Sequence, residues 1–318
     1  MSKEPLIILT GPTSVGKTGL SIKLAQKIGG EIISADSVQV YKHMDIGSAK
    51  IKQAEMQGIP HHMIDVLEPT ESFNIMLFQQ YTKKYIKEIR ERGHIPILVG
   101  GTGFYIQSIL YDIDFTKEED DGSYRKQLEL LAEEKGEDFL YDMLKEIDSE
   151  SAESIHKNNL KRVIRALEYY HLTGQKISEH NAIQHEKESV YQECYFVLND
   201  ERERIYERID RRVDQMLEEG LVEEVKNLLA QGCKRQMVSM QALGYKEIID
   251  YLNGDITLDR AVYFIKRDTR HFAKRQLTWF RREKNVIWVD KSSFSYDEDA
   301  IIAHMLEKMK EKGIHIPL

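Results

Sequence analysis

Gly11-Pro12-Thr13-Ser14-Val15-Gly16-Lys17-Thr18 follows directly on the apolar run Leu6-Ile7-Ile8-Leu9 and precedes Leu20, Leu24 and Ile28 at helical spacing. Strand, glycine loop and helix in that order are what a G-x-x-x-x-G-K-[ST] match needs if it is to cradle phosphate. The glycines let backbone N–H groups curl towards an anion, Lys17 adds a point charge, and the Thr18 hydroxyl suits Mg²⁺. The stretch therefore predicts an α/β protein with a di- or triphosphate site. It leaves open which phosphorylated molecule binds and whether a phosphoryl group is transferred.

Working outward, Glu31-Ile32-Ile33-Ser34-Ala35 reads as a second strand with Asp36 at its carboxyl end, the edge where ligands of open α/β sheets gather. Ser37, Gln39 and Tyr41 follow, giving a general base flanked by groups able to hydrogen-bond a heterocycle. The polar segment 37–59 reads as loops above the sheet. Helical spacing from Asn74 to Arg92 leads to a buried strand, Ile95-Pro96-Ile97-Leu98-Val99, which ends in Gly100-Gly101-Thr102-Gly103. A second glycine loop at a strand end implies a two-sided crevice.

Composition changes near Thr116. Residues 117–188 are rich in Glu, Lys and Gln, show helical spacing in Leu128-Leu131 and Val163-Ala166-Leu167-Tyr170, and carry no convincing strand. Strand character returns at Tyr195-Phe196-Val197-Leu198. Helices are predicted over about 201–218, 221–230 and 257–283, before a last strand, Val286-Ile287-Trp288-Val289, and a terminal helix. The expected architecture is a P-loop core with a parallel sheet flanked by helices, in residues 1–116 and 191–318, interrupted by an all-helical insert domain, 117–190.

The 318 residues are 41% hydrophobic and 31% charged, enough for a substantial core. No run of eighteen apolar residues occurs and the N-terminus lacks a signal-peptide core, so a cytoplasmic protein with no membrane partner is expected. Cys194 and Cys233 lie far apart without paired Cys or His spacing, which argues against a disulfide framework or structural zinc. The net charge of −8 argues against a uniformly basic coat, yet between Arg260 and Lys284 nine Lys/Arg face two acids, a local net of +7. One concentrated basic face on an acidic protein suits a polyanion.

Asp36, Asp200 and Asp290 each end an apolar run, and none stands out as a Walker-B aspartate, which weakens an ATPase reading. His61-His62 with Asp65 is suggestive of metal, but adjacent side chains on an extended chain point in opposite directions, which favours structural hydrogen bonding. Arg275-Gln276-Leu277-Thr278-Trp279-Phe280-Arg281 interleaves basic and aromatic residues, suiting phosphate contact and base stacking; a core-facing Leu277 and Phe280 with a solvated basic face fits equally well.

Six further motifs stand in the order seen in tRNA dimethylallyltransferases, which this sequence resembles over nearly its whole length: Asp36-Ser37-Val38-Gln39-Val40-Tyr41, Asp45-Ile46-Gly47-Ser48-Ala49-Lys50, His61-His62-Met63-Ile64-Asp65, Gly100-Gly101-Thr102-Gly103-Phe104-Tyr105, Arg162-Val163-Ile164-Arg165-Ala166-Leu167-Glu168 and the segment from Arg275 to Arg281. Members of that family, of which the bacterial type is the nearer, look like P-loop kinases in fold. They transfer a dimethylallyl group from dimethylallyl pyrophosphate to N6 of the adenine just 3′ of the anticodon, consuming no ATP.

The resemblance implies that Gly11, Pro12, Thr13, Ser14, Val15, Gly16, Lys17 and Thr18 bind pyrophosphate, with Mg²⁺ as cofactor at Thr18. Asp36 would be the base at the adenine amine, Ser37, Val38 and Gln39 would contact the flipped adenine, and Thr102 would lie in the reaction channel. Arg212 looks like the family arginine that helps bind pyrophosphate, with Arg208 competing for the role. The anticodon stem-loop would be held by Arg125, Lys161, Arg162, Val163, Ile164 and Arg165 in the insert, and by Gln241, Gly244, Tyr245, Lys246, Lys274, Arg275, Gln276, Thr278, Trp279 and Arg281 in the core. The partners implied are tRNA and dimethylallyl pyrophosphate, bound by a monomer. Ser48 and Ile51 stand where the family often has Thr and Pro, Lys161 replaces a Gln, and the C-terminal zinc finger of eukaryotic members is absent. The rival readings are a small-molecule kinase with ATP on the loop, a nucleotide-gated RNA-binding switch, and a prenyltransferase acting on a free adenine nucleotide.

Overall fold

In the computed structural model, residues 3–115 and 122–315 are described, and they divide into two units, one of residues 1–112 and 189–318 and one of residues 113–188. The compositional change near Thr116 and the 116/117 boundary drawn from it lie outside the described residues.

The larger unit is built on six parallel strands: β1 (Glu4–Thr10), β2 (Gly30–Ala35), β3 (His61–His62), β4 (Ile95–Gly100), β5 (Tyr191–Asn199) and β6 (Val286–Asp290). They lie in the order β3-β2-β4-β1-β5-β6, with Ile7 opposite both Ile97 and Cys194. Every side chain from Leu6 to Leu9 is fully buried, as a strand covered by helices on both faces must be. One face of the sheet packs on α1 (Lys17–Ile28) and α13 (Glu298–Glu311), through Leu20, Leu24, Ile301 and Met305. The other packs on α2 (Ile75–Glu91), α3 (Gly103–Leu110), α10 (Leu221–Ala230), α11 (Tyr245–Leu252) and α12 (Leu258–Phe280), joined by Phe78, Ile106, Val225, Ile248 and Phe280. A further helix, α9 (Arg202–Glu218), follows β5.

Local chemistry sets several boundaries. Leu77 N donates to the Asn74 side chain at 3.0 Å, capping α2, and Arg260 N donates to Thr257 Oγ1, capping α12. Gly11, at the end of β1, has φ +143°, and a Cβ there would come within 2.4 Å of the Leu198 carbonyl oxygen on β5. Glycine is thus required both by the turn and by the neighbouring strand.

The smaller unit contains five helices among its described residues: α4 (Ser123–Lys135), α5 (Glu137–Ile147), α6 (Ser149–Ser154), α7 (Leu160–Thr173) and α8 (Ile177–Glu186). Leu128, Leu140, Leu144, Val163, Ile164 and Leu167 form its core. The buried Asp148 carboxylate accepts from Ser151 N and Ser178 N, both at 3.0 Å, tying α6 to α8. Among the described residues no helix is long and apolar enough to cross a membrane.

Candidate active site

The loop after β1 turns back on itself through Ser14 and Gly16, both at positive φ, and delivers the chain into α1 at Lys17. Lys17 Nζ donates to the carbonyls of Gly11 (3.0 Å) and Pro12 (2.9 Å), so the ammonium lies folded over the loop. Burial and then the Arg212 guanidinium push its pKa down to about 8, against the opposing pull of Asp36. A second ammonium, buried Lys291 at the end of β6, donates to the Val15 carbonyl at 3.4 Å.

A cavity of about 430 Å³ opens beside this loop. The loop supplies Lys17 and Thr18, the end of β2 supplies Ser34 and Asp36, and β4 supplies Gly100 and Gly101. From the other side come Arg208, Arg211 and Arg212 of α9 and Phe272 and Gln276 of α12. Asp36 Oδ1 accepts from Val38 N (2.8 Å) and Gln39 N (3.2 Å), which fixes the carboxylate at the carboxyl edge of the sheet. Gln39 receives the Ser34 hydroxyl at 3.0 Å and points its amide NH₂ at the carbonyls of Ser48 and Ala49.

The three strand-end aspartates sort themselves by partner. Asp200 is buried, accepting from Arg208 Nη1 at 2.8 Å and from Glu201 N at 2.9 Å. Asp290 accepts from Asn199 at 2.5 Å. Among the described residues that line the cavity, Asp36 is the single acid. The arginines sort likewise: Arg208 is paired with Asp200, whereas Arg212 makes one long hydrogen bond, 3.5 Å, to the Ala49 carbonyl. Burial depresses the Arg212 pKa, and Asp36 counteracts it.

Glu224, on α10, carries no mark of a site residue in the sequence. Its Oε2 accepts from the backbone N–H of Asp45 (2.9 Å) and Ile46 (2.7 Å), and Oε1 accepts from Gly47 N (3.1 Å) and the Tyr245 hydroxyl (2.8 Å). A Cβ on Gly47 would lie 2.6 Å from the Tyr245 ring. Lys50 secures the same loop from its far end, donating to the Tyr41 carbonyl (2.7 Å), Asp45 (2.5 Å) and Asp65 (2.6 Å). The loop whose Ser48 and Ala49 carbonyls meet Gln39 and Arg212 is thereby anchored at both ends.

Four residues assigned to RNA contact have buried side chains. Gln276 is buried and its amide bridges the two glycine loops, accepting from Thr13 N and donating to the Gly101 carbonyl, both at 2.9 Å. Tyr245 is fully buried on Glu224, and Val163 and Ile164 are core residues of the insert, because their helices bury that face. Lys274, Arg275, Thr278 and Arg281 are exposed along α12, as are Gln241 before α11 and Lys161, Arg162 and Arg165 in the insert. Lys246 and Ser37 sit half-buried and exposed, respectively; Gly244 is buried at the head of α11. Trp279 is half-buried beside Phe104, ring centroids 6.4 Å apart, and leaves no room for a Cβ on Gly103. Thr102 is the residue preceding α3, next to Gly101 of the cavity wall. Arg125 and Arg165 both donate to the buried Glu168 of the insert, at 2.5–3.0 Å.

His62 pairs with Glu31 at 2.7 Å and His61 with the Ile59 carbonyl at 2.8 Å, the structural role expected of them. Glu31 also accepts from Arg92 and His94, and its pKa falls to about 2: burial would raise it, and these hydrogen bonds outweigh burial. Among the described residues no three His, Cys, Asp or Glu side chains gather into a metal site. The cavity's donor set of Thr18 hydroxyl and one carboxylate fits a cation only when the substrate's own phosphate oxygens complete the shell, which is the mode Mg²⁺ prefers.

The glycine-loop cradle on a parallel sheet, with a strand-end carboxylate facing it, defines an α/β protein with a P-loop-like core. The IPP transferase family model matches residues 39–283. Curated relatives include the tRNA dimethylallyltransferase of Lachnoclostridium phytofermentans, 57% identical over 98% of this chain and 99% of that protein, and that of Carboxydothermus hydrogenoformans, 52% identical over 98% and 96%. Among solved structures, the full-length tRNA isopentenylpyrophosphate transferase of Bacillus halodurans aligns with TM-score 0.74 at 45% identity, covering 98% of each chain. A eukaryotic dimethylallyltransferase acting on tRNA aligns with TM-score 0.82 at 31% identity, over 99% of this chain and 81% of that one. The chain belongs to the IPP transferase family.

Proposed function

We propose that this chain transfers a dimethylallyl group from dimethylallyl pyrophosphate to N6 of the adenine 3′ of the anticodon in tRNA. The observation that supports it most directly is the shared cavity, in which one carboxylate, Asp36, faces Lys17, Thr18 and Arg212. An exocyclic adenine amine is a weak nucleophile, so the allylic carbon must gain cationic character as the leaving group departs. The C1–O bond breaks with its electron pair on pyrophosphate, the N6 lone pair bonds C1, and the N6 proton passes to Asp36.

Each residue's part follows from its position. Lys17, the backbone N–H groups of the glycine loop and Arg212 stabilise the departing pyrophosphate, and burial strengthens that interaction over its value in water. Arg212 fits this role better than Arg208, whose guanidinium is committed to Asp200. Mg²⁺, held by Thr18 and phosphate oxygens, would neutralise further charge on the leaving group. Asp36, with Oδ1 fixed by two N–H groups, keeps Oδ2 for the amine proton. The 37–39 turn that holds Asp36 meets the heterocycle's edge, and a base in a stacked loop must be flipped out to reach it. The exposed basic residues of α12 and of the insert contact anticodon-arm phosphates.

Incubating the protein with labelled dimethylallyl pyrophosphate and unmodified tRNA tests the proposal: label should appear in RNA on the adenine following the anticodon, with stoichiometric pyrophosphate. Label in free adenine nucleotide alone, or turnover of ATP instead, would reject it.

A further inference from the structure

Among the described residues lining the cavity only two side chains are apolar, Val99 of β4 and Phe272 of α12. Val99 packs against the buried cluster beneath α1. Phe272 belongs to none of the described hydrophobic clusters, although it is half-buried. Large aromatic rings normally contribute to a core or an interface. This ring instead borders a cavity otherwise lined by charged, polar or glycine residues, with the exposed Arg275 guanidinium over it at 5.7 Å.

We infer that Phe272 and Val99 form the seat of the isoprenoid chain and that Phe272 sets its length at one isoprene unit. The inference rests on the prenyl-transfer reading. Carbons beyond C1 undergo no change of substituent during transfer: C1–O breaks, C1–N6 forms, and the proton leaves to Asp36. These carbons nonetheless must be desolvated somewhere, and Val99 and Phe272 are the apolar side chains that the described lining of the cavity offers them. Val99 is fixed by the sheet, so the discriminating wall is Phe272. Its ring contains more carbons than a second isoprene unit, and replacing it by alanine removes enough volume to admit the longer chain. Apolar pockets discriminate chain length by about 10- to 200-fold per small group, and mostly by excluding what is too large.

The experiment is steady-state kinetics of the full chain on unmodified tRNA with dimethylallyl or geranyl pyrophosphate, for wild type, Phe272→Ala and Phe272→Trp, with thermal melts. Phe272→Ala should raise the ratio of geranyl to dimethylallyl kcat/KM by about 10-fold or more. Phe272→Trp should lower dimethylallyl kcat/KM while sparing inhibition by inorganic pyrophosphate. A ratio within twofold of wild type in folded Phe272→Ala, or an unaltered dimethylallyl kcat/KM in folded Phe272→Trp, overturns the assignment. Wild type inactive on tRNA with either donor rejects the prenyl-transfer reading itself, and this inference with it.

Discussion

Replacing Glu224 by alanine should damage the active site without touching any residue that meets substrate. The carboxylate accepts four hydrogen bonds, three from the 45–47 backbone and one from the fully buried Tyr245. A hydrogen bond to a charged group is worth about 1.5–3 kcal/mol, but freed N–H groups at the exposed end of the loop recover water and most of that value. The Tyr245 hydroxyl and the more enclosed N–H groups do not, so the net cost should be about 3 kcal/mol. Catalysis should suffer separately, because the Ser48 and Ala49 carbonyls on this loop are the partners of Gln39 and Arg212. Misplacement of about 1 Å can cost about 100-fold. Glu224→Gln, which keeps the shape and one acceptor, should recover about half of each loss, and Tyr245→Phe should cost about 1 kcal/mol with little effect on kcat. Urea unfolding together with tRNA prenylation kinetics reads both quantities. A Glu224→Ala protein within 0.5 kcal/mol of wild type, or one destabilised but fully active, would show that the loop holds itself.

The Lys17 pKa of about 8 makes a pH prediction. Its ammonium is the binding form, so kcat/KM for dimethylallyl pyrophosphate should fall as pH rises through about 8, and Lys17→Ala should be slow throughout and lack this limb. Because the folded pKa lies below the unfolded value, Lys17 opposes folding most at low pH and less as pH rises from about 8 towards 10.5, so Lys17→Met should flatten stability across that window. Arg212→Ala should raise KM for dimethylallyl pyrophosphate and lower kcat at nearly unchanged stability, whereas Arg208→Ala should cost about 1–3 kcal/mol by stranding buried Asp200; the reverse pattern would exchange their roles. Neutralising exposed Lys274 and Arg275 together should reduce the salt slope of tRNA binding by about one unit for each phosphate that the variant leaves unneutralised, and an unchanged slope in the folded variant would assign the basic face of α12 to solvent.

What the sequence conveyed, and what it withheld, divides along the range of the interactions. Strands β1 and β4 carry apolar runs, Leu6–Leu9 and 97–99, because both their faces are covered, and α2 and α12 show helical periodicity, so local pattern sufficed. Helices α3 and α11, eight residues each, are too short for the pattern to stand out, and α3 is apolar on nearly every side. The order that inserts β4 between β2 and β1 is held by pairings remote in sequence, which no local pattern encodes. Motif contiguity hid the sorting of faces within a helix: Gln276 shares a face with Ala273 and Phe280, three and four positions away, and that face is buried. Glu224 lies 177–179 positions from the backbone groups it holds, so only the folded chain brings them together.

The three strand-end aspartates show why the same glycine-loop cradle serves a reaction other than phosphoryl transfer. By sequence any of them could have held a metal or activated water. Folding gives Asp200 to Arg208 and Asp290 to Asn199, and leaves Asp36 alone among the acids at the cavity, held by its own turn. Lys17 and the arginines of α9 outnumber it, so the cavity carries net positive charge and favours a polyphosphate ester. With Asp36 as the one acid among the described lining residues, one base faces one leaving-group cradle across a space bordered by an aromatic ring. That set suits ionisation of a carbon–oxygen bond with capture by a weakly basic nitrogen, because the cradle lowers the cost of the departing anion while the base removes the proton that capture releases.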